Sequence, residues 1–85
     1  MKCGEPLSLK AKVMVLPPCF EWKGRPALRA EVEDFEGVQR VLLLWGGDCV
    51  QCVDVGKSYE FHGGLHQVGK HYMLVVSRTS GVRRL

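Results

Sequence analysis

Three sets of residues in this chain have side chains suited to chemistry: a closely spaced cysteine pair, the remaining cysteines and histidines, and a group of aromatic and basic residues. Cys49 and Cys52, in Cys49-Val50-Gln51-Cys52, have the spacing of a half-set of metal ligands on one turn. Zinc needs four ligands, and no second Cys-x-x-Cys follows. Cys3, Cys19, His62, His66 and His71 are the only Cys or His left to complete a site, and only His62 and His66 are paired in spacing, across a Gly-Gly. Buried or incidental thiols are therefore the expectation, with a disulfide or a metal as the lesser alternatives, and no cofactor is assigned. Catalysis has little to work with: there is no Ser-His-Asp set, no glycine-rich phosphate loop before a helix, and no carboxylate cluster apart from one turn. An enzyme is not expected.

The third set is aromatic and basic. Phe20 and Trp22 lie between Pro17-Pro18 and Gly24-Arg25-Pro26 beside Lys23 and Arg25, and two aromatics in a loop with basic ends are more than a core requires. Arg29, Arg40, Lys70 and His71 extend the positive set, as do Lys10, Lys12, Arg78, Arg83 and Arg84. All are candidates for phosphate contact through charge attraction and counterion release. The net charge is +3, and it is unevenly placed: every acidic residue lies at or before Glu60, so the last third is basic or neutral. An anionic partner fits that asymmetry.

These residues must be positioned by a small scaffold. Eighty-five residues, 46% of them hydrophobic, suffice for one compact domain and for no second core. The expected layout is a single domain over 1–85, with 1–6 as an N-terminal extension and 79–85 as a basic tail. Leu7 to Val15 alternates apolar and polar, which marks strand one. Leu28, Ala30 and Val32 alternate with Arg29, Glu31 and Glu33 as strand two, and Asp34-Phe35-Glu36-Gly37 turns into strand three, Val38 to Trp45. In the run Val41 to Leu44 the alternation is lost, leaving the inward face open among Leu42, Leu43 and Leu44. After Gly46-Gly47, Asp48 is placed to cap a short helical turn through Cys49 to Cys52. Tyr59 to His62 reads as strand four, Gly63 to Lys70 as a loop or long hairpin, and His71 to Arg78 as strand five. No segment is long and apolar enough to span a membrane, and no secretory signal is recognised. The expected location is intracellular, in cytoplasm or nucleoid or nucleus.

Five strands with a brief helix between the third and fourth is the order of an all-β OB-fold, a five-stranded Greek-key barrel, with an SH3-like barrel as the competitor. Over roughly residues 26 to 78 the chain resembles the single-stranded-DNA-binding OB domains of replication protein A and the archaeal single-stranded-DNA-binding proteins. The residues that carry the resemblance come in order: Glu33-Asp34-Phe35-Glu36-Gly37 leading to Leu44-Trp45-Gly46, then Val53-Asp54-Val55-Gly56-Lys57-Ser58-Tyr59, Gly63 ending that strand, and Gly69-Lys70-His71-Tyr72 opening the last.

The resemblance implies binding of single-stranded nucleic acid, DNA before RNA, in a replication or repair setting. Trp45 and Tyr72 become the base-stacking pair. Phe20 and Trp22 border the groove, with Lys23, Arg25 and Lys70 as the principal phosphate contacts. One departure is expected to matter: strand three is one residue longer than the pattern between Gly37 and Trp45. A bulge or a shifted turn must absorb it, or Leu44 takes the place of Trp45. Glu31 and Glu33 oppose the reading unless they face away from the nucleic acid. The alternative is an OB-fold protein-protein subunit, similar to the small structural subunit of replication protein A, in which those acids meet a partner chain. A cold-shock type of RNA module lacks its aromatic-rich strand here.

Overall fold

The computed structural model describes residues 4–85, so Cys3 and the start of the expected N-terminal extension lie outside the described residues. Seven strands, one helical turn and one 3-10 turn follow in order: β1 (Pro6–Val15), β2 (Phe20–Trp22), β3 (Arg25–Asp34), β4 (Gln39–Trp45), α1 (Gly47–Val50), β5 (Ser58–Val68), β6 (His71–Val76), the 3-10 turn Thr79–Gly81 and β7 (Val82–Arg84). The sheet runs β1-β3-β4-β6-β5 and closes where β5 pairs back onto β1. β4 and β6 are parallel, while the other neighbours are antiparallel. This is the five-stranded barrel of the OB-fold, with its helical turn after β4.

The leucine run resolves by strand parity. Leu28, Ala30 and Val32 of β3, Leu42 and Leu44 of β4, and Leu74 and Val76 of β6 fill the barrel around Phe61 and Tyr59. Leu43 points outward, yet it is fully buried, because a second apolar layer of Ala27, Val68, Met73 and Val75 packs outside the sheet under Trp22 and Trp45. From Leu42 to Leu44 both faces of β4 are covered, which is why alternation vanishes there from its sequence.

Several elements differ from their expected form. The extra residue of strand three needs no bulge: β3 and β4 pair without interruption from Glu33 opposite Gln39 to Ala27 opposite Trp45. The Asp34 turn absorbs it, with Asp34 Oδ1 accepting from the Glu36 and Val38 amides at 3.0 and 2.9 Å, and Gly37 at φ 84°. Leu44 is inside the barrel and Trp45 outside. The irregularity lies instead in β1, between Val13 and Val15. The helical turn begins at Gly47 with Gly46 before it, and Asp48 makes no capping bond.

Gly63 does not end its strand. β5 continues to Val68, pairing with β1 up to Gly64 and with β6 from Gly64 onward, so the glycine pair is the corner where the barrel closes. A side chain on Gly63 would collide with the Val75 carbonyl. The expected basic tail is also partly strand: β7 pairs with Tyr59–Phe61, and Arg83 bonds Glu60 at 2.6 Å. Residues 4 and 5 are likewise engaged: the Gly4 amide donates to the Leu65 carbonyl, and the Leu65 amide donates to the Glu5 carbonyl.

Candidate nucleic-acid interface

The loop expected between strands one and two is a hairpin. β2 pairs Trp22 with Arg25 across the two-residue turn Lys23-Gly24, whose residues have φ 50° and 77°. Left-handed backbone at both positions is the turn type that suits the twist of a tight hairpin, and a lysine holds the first at a cost of about 1 kcal/mol. The turn throws Trp22 back over the outer face of β3 and β4. There its ring meets Trp45 edge-on, with centroids 5.1 Å apart and planes at 64°. Trp45 Nε1 donates to the Trp22 carbonyl at 2.8 Å, so the two rings are fixed relative to each other.

Each aromatic carries a cation. Lys23 Nζ lies 4.7 Å from the Trp22 ring centre, the Arg25 guanidinium 4.7 Å from that of Trp45, and the Arg29 guanidinium 5.7 Å from that of Phe20. These contacts are worth about 0.5–1 kcal/mol each at exposed sites, and they hold positive charge against flat π surfaces. Arg29 also reaches the β5–β6 hairpin tip, where a side chain on Gly69 would lie 3.9 Å from its guanidinium. Lys70 is at that tip. His71 follows with the parity of Met73 and Val75, hence on the outer face. Phe20, Trp22, Lys23, Arg25, Arg29 and Trp45 therefore form one patch, with Lys70 and His71 at its margin.

Two expected members stand elsewhere. Tyr72 has the parity of Leu74 and Val76, which point into the barrel, and it pairs with Gln67 beyond the barrel's end. Its half-exposed ring lines a groove with Leu7, Leu9, Leu65 and Val41, so it shares neither the face nor the end of the sheet that presents Trp45. The tyrosine follows two residues after a hairpin tip, and sequence spacing there does not reveal parity. Arg40 is committed to Asp34, Nε to Oδ2 at 2.8 Å, at the far end of β4. That guanidinium, followed by the Val38 amide, holds the Asp34 carboxyl below its ordinary value of 3.8.

Glu31 and Glu33 do not face away. They share the outer face with Arg29, opposite Val41 and Gln39. The face is thus divided along its length: aromatic and cationic at the Trp45 end, acidic and apolar at the Gln39 end, where Met14, Val15 and Val41 are each more than 40% exposed. The cysteines stand apart from the patch chemistry. Burial, with Cys52 nearby, pushes the Cys49 thiol up, and Cys52 Sγ donates to the Asp48 carbonyl at 2.9 Å. Among the described residues no group of three or more His, Cys, Asp or Glu is placed to hold a metal.

No family model matches the sequence, and no curated protein matches it. Solved structures do match the fold. The SSB domain of a protein from Synechococcus sp. superposes with a TM-score of 0.68 at 17% identity, covering 93% of each chain. The N-terminal domain of PriB from Thermoanaerobacter tencongensis, solved as a dimer, gives 0.62 at 15% identity over 95% of this chain and 96% of its own. At such identities the likeness establishes the OB-fold. No helix of the described residues is long and apolar enough to cross a membrane.

Proposed function

We propose that this chain binds single-stranded nucleic acid, DNA in the first instance, across the outer face of β3 and β4. The observation that carries the reading is the convergence of three cation-aromatic pairs on one patch: Phe20 with Arg29, Trp22 with Lys23, Trp45 with Arg25. Bases stack on flat π surfaces and on guanidinium planes, while the same cations meet the phosphates, a combination that needs no base-specific hydrogen bonds. The likeness to an SSB domain supports it at the level of fold. In this reading Trp22 joins Trp45 as a stacking platform, and Tyr72 lies off the path.

A second reading has its own observation. Met14, Val15 and Val41 with Glu31 form an exposed apolar and acidic surface, unsuited to phosphates and suited to a protein subunit, and the similar PriB domain was solved as a dimer. The two readings occupy opposite halves of one face and do not compete.

Fluorescence titration of an unstructured oligonucleotide at two salt concentrations tests the proposal, with Trp22 and Trp45 as the reporters. Affinity should fall with salt. Trp22→Ala should cost about 1–3 kcal/mol, roughly 5- to 150-fold, and Tyr72→Ala less than about twofold. An absence of binding at low salt would overturn the function. A Tyr72→Ala loss as large as that of Trp22→Ala would move the path to the other face.

A further inference from the structure

Beside the Trp45 end of the patch, a cleft of about 350 Å³ opens between the start of α1 and the segment after β6. Its walls include Arg25, Gly46, Asp48, Ser77, Arg78 and Thr79. Two guanidinium groups therefore border one small opening. Among the described residues, neither Arg25 nor Arg78 forms a salt bridge or donates a side-chain hydrogen bond, and the Ser77 and Thr79 hydroxyls have no partner. Asp48 offsets one of the two charges and leaves the cleft net positive.

The position of Arg25 is built rather than incidental. Gly46, buried and at φ 103°, lies directly beneath the guanidinium, and a Cβ there would come within 2.5 Å of its Nη2. The missing side chain lets Arg25 lie across Trp45 on one side and border the cleft on the other. One residue thus connects the stacking surface to the opening.

We propose that this cleft is a phosphate site, taking one phosphate group of the nucleic-acid strand whose base lies against Trp45, between Arg25 and Arg78 with the Ser77 and Thr79 hydroxyls as further donors. The assignment rests on the function proposed above for its ligand, and on the cleft itself for its chemistry. A guanidinium presents a planar fork of donors that matches two oxygens of a phosphate, and paired forks select it over a halide. Asp48 is a restraint on affinity, so its removal should strengthen the site.

Oligonucleotide affinity measured across a salt series, for the wild-type chain and for Arg78→Gln, Asp48→Asn and the charge control Lys57→Gln, provides the test. Arg78 and Lys57 are exposed, so neither change disturbs the core. Arg78→Gln should weaken binding about tenfold at low salt. It should also reduce the slope of log affinity against log salt by about 0.7, the contribution of one single-strand phosphate. Asp48→Asn should tighten binding, and Lys57→Gln should leave it within about twofold, as a screened surface charge. Strands with a 5′-phosphate, a 3′-phosphate or neither identify the source: a preference for one end that Arg78→Gln abolishes marks a terminal phosphate, and equal binding marks an internal diester. An unchanged slope in Arg78→Gln overturns the site while leaving the function standing. Should the wild-type chain bind no oligonucleotide, the function fails, and inorganic phosphate then decides the cleft alone. Saturable amide shifts at Gly46, Gly47, Ser77 and Thr79, absent with chloride at equal ionic strength and absent in Arg78→Gln, uphold it; their absence from the wild-type chain overturns it.

Discussion

Replacing Trp45 with Phe keeps a ring at the site and removes the one polar contact that fixes it. The indole N–H bonds the Trp22 carbonyl at 2.8 Å in a half-buried setting, and its loss is worth about 1 kcal/mol. The smaller ring also gives up part of its cover over Ala27 and Leu43; about 30 Å² of apolar surface at roughly 25 cal/mol per Å² adds about 0.8 kcal/mol. A weaker hold on Arg25 contributes about 0.3 kcal/mol more. The sum is close to 2 kcal/mol. For a domain of this size each kcal/mol lowers Tm by about 4–8 °C, so the melt should fall by about 8–16 °C. Trp22→Phe is the control. The bond uses the backbone carbonyl of residue 22, which the substitution retains, so only packing is lost and the shift should be about 4–8 °C smaller. Far-UV circular dichroism melts of the three chains at one pH and ionic strength make the comparison. If Trp22→Phe lowers Tm as much as Trp45→Phe, the indole bond does not hold the platform and the account of the paired rings is wrong.

Two further outcomes follow from the hairpin turns. Lys23→Asn places a residue tolerant of left-handed backbone at φ 50° and should be about 0.5–1 kcal/mol more stable in urea denaturation than Lys23→Gln, which loses the same cation over Trp22 but keeps the strained backbone; equal stability of the two would mean that the backbone there carries no strain. The Asp34 carboxyl, depressed by Arg40, stabilises the fold above the ordinary carboxylate value and ceases to do so as pH falls through its lowered value; the stability gap between wild type and Asp34→Asn should therefore be constant above about pH 4 and shrink below it, and a gap that persists at lower pH refutes the ion pair's role.

Much of the fold was legible because its signals are local. Alternation over Leu28 to Val32 marked a strand with one buried face, and the Asp34 turn announced its hairpin through an aspartate able to bond amides ahead of it. What the sequence concealed depends on cover from distant segments. Leu43 and Val75 are outward yet buried, since Trp22 and Val68 reach them from other strands. β7 contains only three residues and owes its conformation to an open edge of β5, which no propensity within Val82–Arg84 encodes. The candidate site divided in the same way. Phe20, Trp22, Lys23 and Arg25 were recognisable as a cluster by adjacency, and the two glutamates were recognisable as an obstacle. The side of the sheet that Tyr72 takes was not legible: its strand begins at His71 as expected, but successive side chains alternate faces, and the tyrosine falls with Leu74 and Val76 rather than with the outer set of Met73 and Val75. The pairing of Arg40 with Asp34 crosses a turn and removed a cation that composition alone had counted as available.

The division of the outer face sets a length. From Arg25 to Arg29 the cationic half of β3 spans four residue steps, about 13 Å at 3.3 Å per step, before Glu31 ends it. A stacked strand advances about 3.4 Å per nucleotide along its axis and an extended one farther, so on the proposed function this length accommodates about two to four nucleotides. On that proposal two ring platforms supply about 2–6 kcal/mol of stacking, short of the roughly 8 kcal/mol that micromolar affinity requires, and the phosphate contacts that must supply the rest weaken as salt rises. On the proposed function a single copy would be a light grip at higher salt, ending at a carboxylate. Firm hold on a long strand would come from repetition, several copies each occupying its own few nucleotides, with the strand itself raising the effective concentration of the next site.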